Sequence, residues 1–401
     1  MADNNENKVL NVPHLRFPEF SGEWNKYTIN DLATVVGGGT PDTTVKSYWG
    51  GDIQWFTPSE IGKNKYVDFS KRTITRDGLD NSSAKLLPLH TILLSSRATV
   101  GECSIASNEC TTNQGFQSLI AKQCNIDFLY YLIQTKKKDL IRNACGSTFL
   151  EISANEIRKI KVAVPVQNEQ EQIAKLLSLI DERIATQNKI IEDLKKLKSA
   201  ISKHLFARKD LLETTICLSN IATLKNGYAF QSGKYNALGK WKILTITNVS
   251  GERYINDEDY NCIINLPNDI QDHQVLKEGD ILISLTGNVG RVSLCKDGDY
   301  LLNQRVGLLQ LAKNVNQEFL YQILSSQRFE NSMIACGQGA AQMNIGKGDV
   351  ESYVLPYSSN VNNILLVAKI LHSYDEYIIN EQRKLTLLTM QKQYFLAQMF
   401  I

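Results

Sequence analysis

The stretch from Gln167 to Arg208 has apolar residues at steps of three and four, and this seam constrains the fold of the whole chain. Two polar residues, Gln187 and Lys198, fill the gaps in the seven-residue repeat. Such a seam is narrower than the apolar face of an ordinary surface helix and is typical of a coiled coil. The sequence therefore predicts a long helix that requires a partner helix. Its seam residues are Ile173, Leu177, Ile180, Ile184, Ile191, Leu194, Ile201 and Leu205.

The same pattern recurs near the end of the sequence, from Val361 to Ile401. The polar interruptions recur as well, since Glu381 takes the place of Gln187 and Lys392 takes the place of Lys198. Two unrelated amphipathic helices would share a period but would have little reason to share its interruptions. We interpret the two stretches as copies of one element that pair with each other. The second seam consists of Val367, Leu371, Tyr374, Ile378, Leu385, Leu388, Phe395 and Met399.

The segments in front of the two helices also repeat each other. The passage SNIATLKNGYAF matches INDLATVVGGGT and places Gly227 on Gly38, and DILISLTGNVGRVSL matches TILLSSRATVGECSI. Further on, the Asn-Gln pair at Asn303 repeats the pair at Asn113, about 190 residues earlier. The pattern indicates a tandem duplication of one unit, a globular α/β module followed by a long helix.

The duplication predicts a fold class, α/β (α+β), with an internal pseudo-two-fold repeat. Two like units tend to associate through like surfaces about an approximate two-fold axis, which sets their helices antiparallel. The predicted boundaries are 1–165 for the first module, 166–209 for the first helix, 210–357 for the second module and 358–401 for the second helix. About 35 residues of helix extend roughly 50 Å. We therefore expect a coiled-coil rod that sets the distance between two similar modules.

Composition is that of a soluble globular protein, with 43% hydrophobic and 21% charged residues among 401. No apolar run is long enough for a bilayer and the N-terminus lacks a signal-peptide layout, so we expect a cytoplasmic protein without a membrane partner. The eight cysteines include no CxxC pair and lie in apolar segments, which favours reduced core residues over disulfides or a zinc site. A net charge of +2 neither demands nor excludes a nucleic-acid partner.

The sequence lacks the motifs of the common catalytic and cofactor sites. There is no GxxxxGK[ST] loop, the glycines at 37–39 lack the GxGxxG spacing, and no Asn-Pro-Pro-aromatic tetrapeptide of an amino-methyltransferase occurs. The five histidines are scattered and none lies at metal-ligand spacing from another. We therefore predict no catalytic, cofactor or metal site in this chain.

Candidate DNA-binding residues of the first module lie mostly in a basic passage between Trp55-Phe56 and a buried strand. Arg and Lys suit guanine edges and phosphates, whereas charge runs are more often only solvated surface, so both interpretations stay open. The Asn-Gln pair could read adenine or cap a turn, and we favour the turn. The candidates are Lys63, Lys65, Lys71, Arg72, Arg76, Arg97, Asn113 and Gln114.

The second module has a corresponding polar set. The two modules differ most in these passages and share most in their apolar strands, which is expected if each module reads a different short DNA sequence. The candidates here are Lys225, Asn226, Lys234, Lys242, Asn248, Arg253, Arg291, Gln304 and Arg305.

Several ordered motifs together resemble those of the specificity (S) subunit of Type I restriction-modification systems. They are FPEF from Phe17 followed by Trp24, then GGGTP, YWGGDIQWFTPSEIG, TILLSSRATVG, NQGF and VPVQNEQEQIAKLLSLIDERI. The resemblance covers essentially the whole chain, and the second half follows the same template more loosely.

The resemblance implies a non-catalytic subunit with two target-recognition domains. Each domain would read one half of a bipartite double-stranded DNA target, and the two antiparallel helices would act as a ruler. Two modification (methyltransferase) subunits would dock on the chain and use S-adenosylmethionine, and restriction (translocase/nuclease) subunits would use ATP and Mg²⁺. Readers about 50 Å apart would centre on half-sites on the order of 10 to 15 base pairs apart. The alternative is an assembly scaffold whose modules bind protein, and salt-sensitive DNA binding would distinguish the two.

Overall fold

The computed structural model describes residues 11–146, 150–337 and 343–401. The chain forms two compact units, Met1–Asn188 with Lys384–Ile401, and Lys189–Arg383. Each unit therefore contains one globular module and a segment of both long helices. The boundaries that we assigned from the sequence stay a prediction.

The module of the first unit is built on three small sheets. A five-stranded sheet has the order β2-β9-β6-β7-β4, a three-stranded sheet has the order β5-β3-β8, and β1 pairs with β10. The strands are β1 (Asn25–Thr28), β2 (Ala33–Gly37), β3 (Trp49–Phe56), β4 (Tyr66–Val67), β5 (Arg72–Ile74), β6 (Ile92–Leu94), β7 (Cys103–Ala106), β8 (Cys110–Thr112), β9 (Gln117–Ala121) and β10 (Lys161–Val164). The helices are α1 (Ile29–Leu32), α2 (Arg76–Asp80), α3 (Ile126–Thr135), α4 (Lys137–Arg142) and α5 (Ala154–Lys159), and the long helix α6 (Gln167–Ala207) follows.

The module of the second unit repeats this plan with fewer strands. Its sheets have the orders β12-β18-β15-β16, β14-β13-β17 and β11-β19. The strands are β11 (Thr214–Cys217), β12 (Ala222–Asn226), β13 (Trp241–Leu244), β14 (Asn261–Ile263), β15 (Ile281–Ser284), β16 (Val292–Leu294), β17 (Tyr300–Leu302), β18 (Val306–Leu311) and β19 (Val354–Tyr357). The helices are α7 (Gln317–Leu324), α8 (Gln327–Gly337) and α9 (Lys347–Glu351), and the long helix α10 (Val361–Gln398) ends the chain.

The three-stranded sheets show the repeat most clearly. In each, a central strand pairs in parallel with one neighbour and antiparallel with the other, β3 with β8 and β5, and β13 with β17 and β14. Trp55 lies opposite Thr111 in the first sheet and Ile243 lies opposite Leu301 in the second. The predicted internal repeat of an α/β module is confirmed.

The long helices run antiparallel within each unit, as predicted. In the first unit, Leu177 of α6 shares a core with Leu396 of α10, and Asp181 meets Lys392 at 2.7 Å. In the second unit, Leu205 of α6 shares a core with Val367 of α10. Of the seam residues, Ile173, Leu177, Ile180, Ile191, Leu205, Val367, Leu371, Ile378 and Met399 are buried, and Ile184, Leu194, Ile201, Tyr374, Leu385, Leu388 and Phe395 are half-buried.

The segment before β1 packs against the ends of the long helices in the first unit. The backbone N–H of Leu15 donates to Gln398 (2.8 Å), and Arg16 pairs with the buried Glu169 at 2.7 Å. Trp24 is buried between Phe128 and Phe400, at ring distances of 6.1 and 6.4 Å. The core of the first unit therefore includes Trp24 and Phe400, which are far apart in the sequence.

Gly38 and Gly227 occupy equivalent places and leave no room for a side chain. A Cβ on Gly38 would lie 2.0 Å from the carbonyl oxygen of Asn113, and one on Gly227 would lie 2.1 Å from that of Asn303. We expect Gly38→Ala and Gly227→Ala each to lower the free energy of unfolding by about 3 kcal/mol, because the backbone must move to make room for the new Cβ. Gly233→Ala, with no atom within 4 Å of the new Cβ, should leave it within about 0.5 kcal/mol. Denaturant unfolding followed by tryptophan fluorescence measures both, and equal effects at the three sites would contradict this close approach.

The cysteines differ in exposure more than the sequence suggested. All eight are free thiols, but Cys145 and Cys336 are exposed rather than in the core. Burial raises the pKa of four others to about 12: Cys103, Cys110, Cys124 and Cys295. We expect iodoacetamide at pH 8 to modify Cys145 and Cys336 first in the native protein, because the thiolate is the reactive form. Peptide mass mapping of a time course tests this, and early labelling of Cys103 would contradict the described core.

Two kinds of feature do not occur in the described part of the chain. None of its helices has an apolar stretch that could reach across a bilayer. Within the same residues, no three His, Cys, Asp or Glu side chains are grouped as metal ligands would be.

Candidate nucleic-acid interface

Arg72 is held in a fixed orientation on the surface of the first module. Its guanidinium lies 3.6 Å above the ring of Trp49 and 5.5 Å from that of Trp55. Both indoles are themselves fixed, because Trp49 Nε1 donates to Asp42 O (3.1 Å) and Trp55 Nε1 donates to Gly39 O (2.9 Å). No carboxylate of the described residues forms an ion pair with Arg72, and its side chain is exposed. A stacked, unpaired guanidinium keeps its donors available for a guanine edge or a phosphate.

The equivalent position of the second module carries Asn261. Arg72 lies opposite Trp55 on the β5-β3 ladder, and Asn261 lies opposite Ile243 on the β14-β13 ladder. Both side chains are exposed. Asn261 was not a candidate from the sequence, because the equivalence of β5 and β14 becomes visible only through the central strands β3 and β13, which pair in parallel with the matching strands β8 and β17. One scaffold position therefore presents a guanidinium in one module and a carboxamide in the other.

Four further candidates of the first module differ in how exposed their side chains are. Lys63 and Lys71 are exposed, and Arg76 forms an exposed pair with Asp80 at 3.2 Å. Arg97 is half-buried and its backbone forms a bridge with Glu151. All four lie outside the core and remain predicted DNA contacts.

The repeated Asn-Gln pair has a structural role in both modules. Asn113 Oδ1 accepts a hydrogen bond from the N–H of Gly115 (2.9 Å), and Asn303 Oδ1 accepts one from the N–H of Arg305 (3.1 Å). Both side chains thus cap a turn, the alternative that we favoured from the sequence. The neighbouring Gln114 accepts a hydrogen bond from Thr40, and Gln304 is exposed.

Most candidates of the second module are exposed or half-buried. Arg291 pairs with Glu330 at 3.5 Å, and Lys242 Nζ lies 4.4 Å from the ring of Tyr260. The exposed members are Asn226, Lys234, Gln304 and Arg305, and the half-buried ones are Lys225, Lys242 and Arg291.

A polar cavity of about 450 Å³ lies beside these residues in the second module. Lys234 and Asn236 line it, together with the ring pair Tyr228 and Phe230, whose centroids are 4.9 Å apart. The Tyr228 hydroxyl donates to Asp269 at 2.8 Å, which fixes that ring. The cavity combines amide, ammonium and aromatic groups, the side-chain types that contact DNA bases and backbone.

Three candidates make contacts inside the protein instead. Asn248 is buried, and its Nδ2 donates to the carbonyl oxygens of Asn256 and Asp259, both at 2.8 Å, which holds a loop together. Arg253 and Lys65 each belong to a cluster of paired charged residues, one in each unit. We do not include these three residues in the proposed interface.

The cluster in the second unit, which we call anchor 2, consists of Lys198, Arg253, Glu318 and Asp375. Arg253 is paired with Glu318 at 2.7 Å and with Asp375 at 3.0 Å, and Lys198 meets the other oxygen of Asp375 at 2.6 Å. Gln322 of α7 adds a hydrogen bond to Asp375 at 2.6 Å. Anchor 2 therefore joins the module, through Arg253 and α7, to both α6 and α10.

Anchor 2 is largely buried and its charges compensate one another. The side chains of Arg253 and Asp375 are only 7% and 8% exposed. Burial lowers the pKa of Arg253, but the hydrogen bonds and charge of Glu318 outweigh it, so the pKa lies above its ordinary value. Burial likewise opposes ionisation of Glu318, but hydrogen bonds from Arg253 and Gln322 hold its pKa below the ordinary value. Both groups therefore stay charged at neutral pH.

The first unit contains an equivalent cluster, anchor 1, made of Lys65, Asp127, Asp181 and Lys392. Lys65 meets Asp127 at 2.7 Å and donates to Ser178 of α6 at 2.6 Å. Lys392 of α10 meets Asp181 of α6 at 2.7 Å, and the hydroxyl of Tyr131 donates to Asp181 at 2.7 Å. Burial, together with Asp181, raises the pKa of Tyr131, so it remains a donor at neutral pH.

The two anchors match residue by residue along the repeat. Asp127 and Glu318 both begin the matching passages DFLY and EFLY, and Asp181 and Asp375 take the same place on the two long helices. Lys198 and Lys392 are the polar interruptions that recur in the two seams. That recurrence was the sequence signal for the anchors, although it did not reveal their carboxylate partners.

The pair of long helices in the first unit also carries an apolar groove. Leu179 and Leu387 are 49% and 66% exposed, and they line a cavity of about 780 Å³ with Leu388, Thr186 and Arg183. Exposed leucines around one groove are typical of a surface that binds another protein.

Two α/β modules on a common scaffold, each anchored to an antiparallel helix pair and each with its own exposed polar groups, define a modular recognition protein. The family model described as Type I restriction modification DNA specificity domain matches residues 21–196 and 213–390. Each match covers one module and continues into the long helix that follows it. The chain belongs to this family, which confirms the resemblance inferred from the sequence.

Individual relatives agree with this assignment. The chain is similar to the Type I restriction enzyme MjaIX specificity subunit of Methanocaldococcus jannaschii, with 38% identity over 192 residues, or 46% of this chain and 44% of that protein. It is 28% identical over 206 residues to the EcoR124I/EcoR124II specificity subunit of Escherichia coli, covering 49% of this chain and 50% of that protein. The chain thus matches about half the length of these relatives.

A solved structure shows the same fold along nearly the whole chain. The crystal structure of a Type I restriction-modification S subunit from M. genitalium has a TM-score of 0.57, covers 97% of this chain and 99% of its own, and is 18% identical. The likeness is one of fold alone.

Proposed function

We propose that this chain is the sequence-specific DNA-recognition subunit of a Type I restriction-modification complex. Each module reads one half of a bipartite double-stranded target, and the long helices set the distance between the halves. The observation that carries the proposal is the paired position of Arg72 and Asn261. A shared scaffold with different hydrogen-bonding groups at one exposed position is what two readers of different sequences require. Arg suits guanine and Asn suits adenine in the major groove.

The proposal assigns no chemistry to the chain itself. Modification subunits dock on the long helices and carry S-adenosylmethionine, and the apolar groove at Leu179 and Leu387 supports such protein docking. Restriction subunits join this assembly and use ATP and Mg²⁺ for translocation and cleavage. Neither the chain nor its modules bind a cofactor under this proposal.

Selection of duplexes from a random pool tests the DNA-binding part. We expect bound duplexes to share two short sequences at one fixed separation, on the order of 10 to 15 base pairs between centres. Affinity should fall steeply between about 50 and 200 mM salt, because phosphate contacts release counterions. Enrichment of no sequence, with salt-insensitive binding, would favour the alternative of a protein-binding scaffold.

Substitutions at the exposed residues sharpen this test. Arg72→Ala should relax the preference at one position of one half-site and leave the other half-site unchanged. Lys71→Ala, a neighbouring exposed cation, is the matched comparison for a phosphate contact and should weaken all sequences alike. If Arg72→Ala weakened all sequences equally, Arg72 would be a phosphate contact instead.

A further inference from the structure

Each anchor places two cations and two carboxylates where a module meets its long helices, and in the first unit Arg16 also pairs with the buried Glu169 of α6 at 2.7 Å. Other contacts at this junction are apolar, such as that between Phe128 and Phe400, whose rings stack at 5.2 Å. Apolar contacts resist separation but hold an angle weakly, because the hydrophobic effect is not directional. Charge-assisted hydrogen bonds depend on direction and weaken steeply when misaligned. The anchors are therefore suited to fixing an angle.

We propose that the anchors are positioning residues that hold each module at one angle on its helix pair and thereby restrict the protein to one spacer length. This inference rests on the proposed function, since a spacer exists only in a bipartite target. The length of the helices alone sets a distance and leaves the orientation of each module on its helix pair open, whereas the anchors fix that orientation.

DNA geometry shows why orientation matters. One added base pair moves a half-site by about 3.4 Å along the duplex and turns it by roughly 35° around the axis. A module that follows such a half-site must rotate on its helices. In the second unit, that rotation would break the two-oxygen contact of Glu318 with Arg253 and the contacts of Asp375 with Arg253 and Lys198. The alternative is to twist the DNA, which also costs free energy.

The two anchors differ in the number of their contacts and in their exposure to solvent. Two nitrogens of Arg253 donate to the two carboxylate oxygens of Glu318 at 2.9 and 2.7 Å, whereas Lys65 contacts Asp127 through its single ammonium group. Asp127 is 35% exposed and Glu318 is 24% exposed, so anchor 1 is also the better solvated. A second contact, Lys195 with Glu252 at 2.7 Å, further ties the second module to α6. Anchor 2 is thus the stricter of the two.

The test uses the full chain and duplexes that contain both selected half-sites with the preferred spacer, one base pair fewer or one more. The unaltered protein should bind the two altered duplexes at least about tenfold more weakly. Asp375→Asn should reduce this difference to about threefold or less while the half-site sequences stay the same, and Asp181→Asn should have a smaller effect. Glu192→Gln, which removes an exposed helix pair with Lys196, is the control and should keep the tenfold difference.

A variant that loses all charges of anchor 2 separates positioning from folding. Lys198→Met, Arg253→Met, Glu318→Gln and Asp375→Asn together leave none of the anchor's ions buried without a partner, so we expect this variant to fold. This variant should tolerate all three spacers. If it, or folded Asp375→Asn, discriminates between spacers as well as the unaltered protein does, the anchors do not set the spacer. If the unaltered protein selects no two-part sequence, the proposed function itself fails.

Discussion

Replacing Asp375 with alanine is expected to lower the free energy of unfolding of the second unit by about 3 to 5 kcal/mol. The carboxylate is the meeting point of Arg253, Lys198 and Gln322, at 3.0, 2.6 and 2.6 Å. Its removal leaves the guanidinium of Arg253 buried with one anionic partner instead of two. Removing one member of a buried ion cluster strongly destabilises the folded protein, because the remaining charge stays desolvated. Replacing the whole cluster with apolar residues costs far less free energy.

A matched substitution in the same unit provides the comparison. Asp299 pairs with Lys240 at 3.0 Å, but both side chains are well exposed, at 43% and 64%. Asp299→Ala should cost less than about 1 kcal/mol, because water screens exposed pairs. Denaturant unfolding of both variants measures the difference, and equal losses would contradict a buried anchor.

Acid should weaken the same anchor in a defined pH range. The pKa of Glu318 lies below its ordinary value of 4.5 in the folded protein. A carboxyl with a lowered pKa adds stability that is complete above its unfolded pKa and is lost as the pH falls through its folded pKa. The stabilisation from Glu318 should therefore be constant at neutral pH and decline only below about pH 4.5. Glu318→Gln should flatten this part of the curve of unfolding free energy against pH.

Exchanging residues 25–160 for the same segment of another family member is expected to replace one half of the DNA target and preserve the other. The segment contains every proposed DNA contact of the first module and none of the second. It also contains Lys65 and Asp127, which must keep their charges so that Lys65 pairs with Asp127 and donates to Ser178 of the host chain. Without them, the exchanged protein should read the new half-site but accept more than one spacer.

Target selection with the exchanged protein checks this prediction. The matched control for the spacer is a second exchanged protein whose inserted segment has neutral residues at positions 65 and 127. If both half-sites changed together, the modules would not read DNA independently, and the interpretation of two separate readers would be wrong.

The sequence revealed the scaffold because the scaffold depends on local periodicity. The seam steps of three and four, and the recurrence of Lys198 as Lys392, need only the helical repeat to be recognised. The apolar residues of the strands also recur in both modules. Gly38 and Gly227 recur because neither position has room for a Cβ atom. The antiparallel pairing followed from the symmetry of a duplicated unit, and it is confirmed within each unit.

The sequence could not separate surface cations from internal ones. Arg253 and Lys65 lie in polar passages that look solvated, but their carboxylate partners are 65 and 62 positions further along the chain. Only tertiary structure brings such groups together. Asn248 was likewise indistinguishable from a DNA contact, although its side chain holds a loop. Conversely, no sequence pattern pointed to Asn261. It became a candidate only because it lies opposite Ile243 in the second module, as Arg72 lies opposite Trp55 in the first.

Under the proposed function, two modules of one chain read two separate parts of one DNA site. The most direct measurement is to express the chain with the proposed modification subunit in a host without DNA methylation and to sequence the methylated bases genome-wide. We predict that all of them lie in one two-part motif with a single spacer length, and that exchange of residues 25–160 changes only one part. Methylation in an uninterrupted motif, or a motif whose two parts change together, would contradict the account.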